Sequence, residues 1–105
     1  MGEQTKTDEK TTLVVTAVPN ANEMASVQEY LQGVLPLLTG AGGKPVKRLK
    51  VDKVIHGNPS GMVLVMDFDS ADAISGMFES EGYASLVPVR DRGFAEMNIL
   101  LTREM

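Results

Sequence analysis

Short apolar runs and stretches of helical periodicity alternate along this chain. Residues 11–18, TTLVVTAV, and 62–69, MVLVMDFD, are apolar or β-branched and too short for helices, which predicts two strands. Apolar and polar residues alternate over residues 46–56 and 94–102, and this period of two predicts two more strands.

A long helix is predicted between the first two strands. Asn20 and Glu23 have the spacing of a capping box, and Pro36 is expected to bend the helix because proline lacks an N–H group. The apolar face recurs at spacings of three and four residues and consists of Met24, Val27, Leu31, Val34, Leu35 and Leu38.

Two helices are predicted after the third strand. Ser70 is expected to cap the first and Ser80 to cap a second, short one. Pro88 is expected to end the short helix before Arg90. The inward-facing residues are Ala73, Ile74, Met77 and Phe78 in the first helix and Tyr83, Leu86 and Val87 in the second.

The element order βαββαβ predicts an α+β, ferredoxin-like fold, with a four-stranded antiparallel sheet and both helical segments on one face. The first and third strands are apolar on both faces, and the helices cover only one of them. A second copy of the chain is the simplest cover for the other face, which predicts a two-fold homodimer shaped as an α/β barrel. The basic residues Lys44, Lys47, Arg48, Lys50 and Lys53 favour an edge position for the second strand.

Composition limits the classes of function. A chain of 105 residues forms one domain, predicted over residues 11–105 after a polar, disordered tail at residues 1–10. The net charge of −4 argues against nucleic-acid binding. No run approaches the roughly 18 apolar residues that cross a bilayer, and no apolar signal core is present, so we expect no membrane partner and a cytoplasmic location.

The chain offers few groups for metal or nucleophilic chemistry. It contains no cysteine, which excludes disulfides, thiolate catalysis and Cys-ligated metals. Its single histidine, His56, cannot form a two-His metal motif within one chain, and the nucleophile elbow G-x-S-x-G is absent. We therefore expect neither a metal nor a cofactor.

Several spaced motifs resemble those of one protein family. They are the ending Pro36-Leu37-Leu38 to Gly42-Gly43, the Gly57 turn, the helix entry Phe68-x-Ser70-x-x-Ala73, and the segment Ser80-x-x-Tyr83-x-x-Leu86-x-Pro88-x-Arg90. Over residues 11–104 the chain resembles an uncharacterised family of small dimeric α/β-barrel proteins, similar in fold to the antibiotic-biosynthesis monooxygenases. The resemblance implies a ferredoxin-like homodimer in which Tyr83 and Arg90 occupy a Tyr-to-Arg signature. His56 stands where the family often has an acid.

His56, Tyr83 and Arg90 are the candidate site residues. His56 is a candidate general base, or else a partly exposed polar residue beside a turn. Arg90 can bind a carboxylate or enolate through two donors, or pair with a neighbouring acid such as Asp91. Tyr83 either directs its hydroxyl into a pocket or packs its ring into the core.

Two functional classes remain open. In the first, the protein is a homodimer that binds a small hydrophobic organic ligand through Tyr83 and Arg90 without catalysis. In the second, it is a cofactor-independent monooxygenase or isomerase, in which His56 takes a proton and Arg90 stabilises an oxyanion. The sequence favours the first slightly, because no Asp or Glu is clearly placed to orient His56.

Overall fold

The computed structural model describes residues 10–58 and 61–105. The strands are β1 (Thr11–Pro19), β2 (Lys44–Lys50), β3 (Met62–Phe68) and β4 (Phe94–Thr102). The helices are α1 (Met24–Gly40), α2 (Ala71–Phe78), α3 (Glu81–Ala84) and α4 (Val87–Gly93), and a 3₁₀ turn, Ala21–Glu23, precedes α1. The tail predicted at residues 1–10 lies, apart from Lys10, outside the described residues.

The strands form one antiparallel sheet in the order β2-β3-β1-β4, as predicted for a ferredoxin-like fold. β1 and β3 are the central strands, and Leu13 of β1 lies opposite Met66 of β3 and Leu101 of β4. β2 and β4 are the edges of this sheet. Every residue of β2 is exposed, which agrees with the edge position predicted from its lysines.

The helices cover one face of the sheet, and the core lies between them. Leu13 and Ala17 of β1 are buried on this face together with Met66 and Phe68 of β3. These residues share a face because alternate side chains of a strand point the same way. The helices contribute Val27, Tyr30, Val34, Leu38, Ile74 and Met77 to the same buried cluster.

No helix of the described chain covers the opposite face of the sheet, which we call the open face. Polar side chains on this face also bond to one another: Thr12 Oγ1 donates to Asp67 at 2.7 Å, and Asn98 Nδ2 donates to Thr16 Oγ1 at 3.1 Å. Its apolar residues, assigned from the strand register, are Val14, Val18, Leu49, Val63, Val65 and Leu100. The two-sided apolar pattern of the central strands is therefore present in the fold.

Both serine caps are confirmed. Ser70 Oγ accepts a hydrogen bond from the amide of Ala73 at 3.3 Å, and Ser80 Oγ accepts one from the amide of Tyr83 at 3.2 Å. Ser80 Oγ also donates to the carbonyl of Met77 at 2.6 Å, which ties α3 to the end of α2. Each cap satisfies an amide that has no partner within its own helix.

Pro88 begins a helix, so the prediction that it ends one was wrong. It occupies the first positions of α4, where its missing N–H group leaves no bond unmade and its fixed φ suits helical backbone. The single short helix predicted after Ser80 is consequently two helices, α3 and α4. Arg90 and Arg92 lie within the second of them.

The predicted capping box at the start of α1 does not form. Asn20 Oδ1 accepts from the amide of Asn22 at 3.0 Å, so Asn20 caps the 3₁₀ turn instead of α1. The Glu23 carboxylate accepts from the hydroxyl of Ser26 at 3.3 Å. α1 begins only at Met24, and it continues through Pro36 to Gly40.

The alternating pattern predicted that the second strand ends at position 56, but β2 ends at Lys50. The predicted end was therefore wrong. The amide of Val51 still donates to the carbonyl of Gly61 at 2.9 Å, but the amide of Gly61 donates to Ala17 of β1 at 2.8 Å. Residues 52–58 are all exposed. We call residues 51–56 the arm; it keeps the pattern of a strand without a partner strand in the described chain.

Gly43 and Gly40 provide a matched test of packing at the end of α1. A Cβ on Gly43 would stand 2.7 Å from Met66 Cε and 2.7 Å from Phe68 Cζ, whereas one on Gly40 would meet nothing within 4 Å. We expect Gly43→Ala to lower the free energy of unfolding by about 1–3 kcal/mol through overpacking. Gly40→Ala should leave it unchanged or raise it by up to about 1 kcal/mol, because alanine favours a helix. Urea denaturation measures both, and equal effects would contradict the packing described.

Candidate functional site

Tyr83 and Arg90 meet where α3 and α4 pack above β4. The Ser80 cap holds Tyr83 in the first turn of α3, and α4 carries Arg90. Arg90 Nη1 donates a hydrogen bond to the Tyr83 hydroxyl oxygen at 3.1 Å. The guanidinium carbon of Arg90 also lies 5.9 Å from the centre of the Tyr83 ring, within the range of a cation–π contact.

Tyr30 of α1 completes this arrangement, and the sequence analysis did not single it out. Its hydroxyl oxygen lies 2.8 Å from that of Tyr83, and both side chains are buried. The signal was present in the helical periodicity, because Tyr30 follows Val27 by three residues and precedes Val34 by four. The two hydroxyls and the guanidinium form one chain of hydrogen bonds, which we call the Tyr–Arg chain.

Aromatic rings surround the buried part of the Tyr–Arg chain. Tyr30 meets Tyr83 edge-on at a centroid distance of 6.2 Å and Phe94 at 5.5 Å. Phe78 of α2 meets Tyr83 edge-on at 4.8 Å. Such edge-to-face pairs hold rings in fixed orientations, so the Tyr83 hydroxyl is presented to Arg90 in a defined position.

The electrostatics of the chain follow from burial. Burial raises the pKa of Tyr30 well above its ordinary value, and the hydrogen bond between the Tyr30 and Tyr83 hydroxyls adds to this effect. Tyr30 is therefore a neutral phenol. Partial burial lowers the pKa of Arg90, but its hydrogen bonds to Tyr83 and Asp91 outweigh that effect and raise it overall. Arg90 is consequently a permanent cation at the surface end of the chain.

Arg90 uses only part of its donor capacity. In the described chain, Nη1 donates to Tyr83, and Nε donates to the exposed carboxylate of Asp91 at 3.1 Å. The remaining N–H groups of the guanidinium have no partner among the described residues, and the side chain is 27% exposed. These groups are available to an anionic oxygen.

Two shallow clefts flank Arg90. One, of about 380 Å³, lies against α2 and has the apolar wall Ile74, Phe78, Ile99 and Leu101, and its polar lining residues are Ser75, Glu79 and Tyr83. The other, of about 390 Å³, runs along the first residues of β4 and includes Asp91 and Glu96. Both volumes fall within the range of about 300–1,000 Å³ that is usual for small-molecule sites.

His56 lies apart from this site within one subunit. It is exposed at the end of the arm, beyond the β2 edge, whereas Arg90 precedes β4 at the opposite edge of the sheet. The structure therefore brings Tyr83 and Arg90 together, adds Tyr30, and leaves His56 outside the group.

A larger cleft, of about 950 Å³, lies at the β2 edge. Its walls are apolar side chains from β1, α1 and β3, and Arg48 and Lys50 stand at its margin. Both residues lie on the edge strand β2, and they offer a second place where an amphipathic anion would fit. The apolar lining includes Pro19, Met24, Leu35, Met62 and Leu64.

Arg92, the second arginine of α4, has a structural role. Its Nε donates to the hydroxyl of Ser26 at 2.9 Å and lies 4.0 Å from the carboxylate of Glu23. These contacts join α4 to the start of α1. Gly93 permits that approach, because a Cβ there would stand 3.0 Å from the amide nitrogen of Val27.

The described residues contain no cluster of three or more His, Cys, Asp or Glu side chains arranged to hold a metal ion. Among the same residues, no helix has both the length and the apolar content needed to cross a membrane.

Comparison with known proteins identifies a family. Residues 11–105 match the model of a family described as a domain of unknown function, DUF1330. No curated protein matches the sequence. The family match confirms the resemblance to an uncharacterised family that the spaced motifs had indicated.

Solved structures share the fold at low sequence identity. The protein RPA0582 of unknown function from Rhodopseudomonas palustris superposes with a TM-score of 0.79 at 13% identity, covering 93% of this chain and 84% of that chain. A dimeric, ferredoxin-like protein of unknown function from Bacteroides fragilis gives 0.59 at 8%, covering 90% and 96%. A candidate antibiotic biosynthesis monooxygenase from Bacteroides thetaiotaomicron gives 0.67 at 5%, covering 94% and 92%. These likenesses confirm the ferredoxin-like fold.

The Tyr–Arg chain predicts unequal costs for removing its two hydroxyls. Tyr83→Phe leaves the buried Tyr30 hydroxyl unpaired and should lower the free energy of unfolding by about 1–3 kcal/mol. Tyr30→Phe leaves the Tyr83 hydroxyl bonded to Arg90 and should lower the free energy of unfolding by only about 0.5–1.5 kcal/mol. Because the two hydroxyls share one bond, the double variant should lose less than the sum of the singles in urea denaturation. Strictly additive losses would contradict the bond.

Proposed function

Since the chain belongs to the DUF1330 family, whose function is unknown, we propose a function from its own geometry. The protein is a homodimer that binds a small hydrophobic organic ligand with an anionic group, held by Arg90 and Tyr83, and it does so without catalysis. The observation that carries this proposal is a cation with unused donors beside an apolar cleft.

The anionic group of the ligand binds the guanidinium. Arg90 already donates one hydrogen bond to Tyr83 and one to Asp91, so the orientation of its guanidinium is set before a ligand binds. Its unused N–H groups have the planar arrangement that matches a carboxylate. Asp91 is exposed and forms a surface ion pair, which contributes little and is easily exchanged for a ligand anion.

The apolar part of the ligand lies in the cleft toward α2. Ile74, Phe78, Ile99 and Leu101 form its wall, and each apolar Å² removed from water there contributes roughly 25 cal/mol. An aromatic acid or a phenolate suits this cleft, because Phe78 and Tyr83 already present ring edges and faces.

The dimer covers the open face. Val14, Val63 and Val65 lie at its centre, and Leu100 on β4 is 48% exposed in the single subunit. The polar pair Thr12–Asp67 lies at one end of the central strands, and the pair Asn98–Thr16 joins β4 to β1. Apolar side chains together with polar groups that already have hydrogen-bond partners are compatible with a subunit interface, and a monomer rarely leaves a large apolar face in water. The Bacteroides fragilis structure of similar fold is itself dimeric.

The alternative is a cofactor-independent monooxygenase or isomerase with His56 as base and Arg90 as oxyanion stabiliser. One observation favours keeping it: the similarity in fold to a candidate antibiotic biosynthesis monooxygenase. The separation of His56 from Arg90 within one subunit weighs against it. Catalysis of this kind requires a second subunit to supply the imidazole.

Thermal-shift screening of hydrophobic carboxylic acids and phenols tests the ligand site. We expect a subset of them to raise the melting temperature of the wild type, with the shift lost in Arg90→Ala. His56→Ala should keep the shift. A ligand present at 100 times its Kd stabilises the folded state by about 2.7 kcal/mol, which raises the melting temperature of a domain of this size by roughly 10–20 °C.

Two other arginines serve as matched controls for the ligand screen. Arg92→Ala changes the same helix outside both clefts and should keep the shift. Arg48→Ala tests the larger cleft at the β2 edge. A shift lost in Arg48→Ala and kept in Arg90→Ala would assign the ligand to that cleft and overturn the proposed site.

Leu100→Lys and Met24→Lys test the dimer. The two side chains are 48% and 47% exposed, but only Leu100 lies on the open face. Sedimentation of the wild type and of Met24→Lys should show dimers, since a stable interface buries at least about 1,200 Å². Leu100→Lys should sediment as a folded monomer, because the interface would bury an unpaired charge. A wild-type particle of 11.3 kDa at micromolar concentration would refute the dimer.

A further inference from the structure

We propose that the arm of each subunit lies against the start of β4 in the second copy, so that His56 of one chain lies beside the Arg90 site of the other. This inference rests on the homodimer and the ligand site proposed above. It is carried by three features: the direction of the two edge strands, the end of the sheet at which each stands, and the chemistry of their side chains.

The edge strands have the relative direction that a continued sheet needs. β2 and β1 are both antiparallel to β3, so they run the same way, and β4 is antiparallel to β1. β2 and β4 are therefore antiparallel to each other. Two open faces can meet about a two-fold axis parallel to the strands. This rotation places β2 of one copy beside β4 of the other, and the two strands remain antiparallel. Each edge strand then gains the ladder partner that the described chain lacks.

The register sets which residues come together. Lys50, Met62, Ala17 and Met97 form one row across the sheet. Under that two-fold axis Lys50 lies level with Met97 of the second copy, and the arm continues past the earlier residues of that β4. Residues 51–53 then run beside residues 94–96, and residues 54–56 reach the end of α4, which carries Arg90.

The side chains on the two segments are complementary. In the arm, Ile55 is 87% exposed and Val54 is 40% exposed. The cleft along β4 offers Phe94, Met97 and Ile99 as apolar wall. Lys53 and His56 supply positive or proton-accepting groups, and the same cleft contains the acids Asp91 and Glu96. An exposed isoleucine on an unpaired segment and an open apolar cleft are both unfavourable in water, and the arrangement buries both.

Cysteine cross-linking tests the arrangement without side reactions from native thiols, because the chain contains no cysteine. By the register above, Asp52 of one copy faces Ala95 of the other, and both are exposed in the single subunit. Antiparallel neighbours bring Cα atoms to about 4.5–5.5 Å, within disulfide range. We expect co-expressed Asp52→Cys and Ala95→Cys chains to form a covalent dimer under mild oxidation. Each variant alone should form little or none.

Lys44→Cys with Ala95→Cys is the matched control. Lys44 is the first residue of β2 and lies six positions before Lys50, about 20 Å away along the strand. A cysteine at position 44 should therefore not cross-link to a cysteine at position 95 of the second copy. Covalent dimers from Asp52→Cys alone would show that two arms lie against each other, and this would overturn the inference. Sedimentation of the reduced variants distinguishes a wrong position of the arm from the absence of a dimer. Dimers that never cross-link refute the arm position alone, whereas monomers refute the dimer as well.

The single histidine provides a second readout that needs no cysteine. We expect Asp91→Asn to shift the NMR signals of the His56 ring, because residues 54–56 of the arm reach the end of α4 in the second copy, where Asp91 lies. Glu29→Gln, an exposed change on α1, should leave them in place. Unchanged His56 signals in Asp91→Asn, in a protein shown to be dimeric, would contradict the inference.

Discussion

The apolar residues on both faces of β1 and β3 are the constraint on which the rest of this structure depends. On one face, Leu13 and Met66 are buried beneath the helices. On the other, Val14 and Val65 lie side by side with no described helix above them. The described helices of this βαββαβ order cover only one face, and the proposed dimer covers the second face from outside the chain. The proposed dimer follows from this imbalance and not from any single contact.

The Tyr–Arg chain shows how a cation is held at the margin of an apolar core. A buried hydroxyl without a partner is costly, and the Tyr83 oxygen removes that cost for Tyr30 while it accepts from Arg90. One oxygen atom therefore connects α1, α3 and α4. Because Arg90 is positioned by groups that the fold already requires, its remaining donors would bind the proposed ligand at little additional cost in entropy.

The two edges of the sheet carry different chemistry. β2 is exposed throughout and rich in lysine, which disfavours uncontrolled pairing with other proteins. β4 is bordered by the clefts and by the acids Asp91 and Glu96. In the proposed dimer, the positive charges of β2 repel a second β2 and attract the acids beside β4. Pairing of β2 with β4 favours a closed dimer over open-ended assembly. The same arrangement would decide whether His56 is a surface residue or part of a site.

Local patterns in the sequence determined most of the fold, and tertiary contacts decided the site. The bounds of β4 and the caps Ser70 and Ser80 follow from alternation and from hydrogen bonds within a few residues, and these were predicted correctly. The end of β2 was not, because a strand stops where its partner stops, and β3 lies elsewhere in the sequence. Pro88 was misjudged because the same residue can end one helix or begin the next. Tyr30 lies 53 residues from Tyr83, so no local pattern could connect the two hydroxyls; only the packing of α1 against α3 brings them within 2.8 Å.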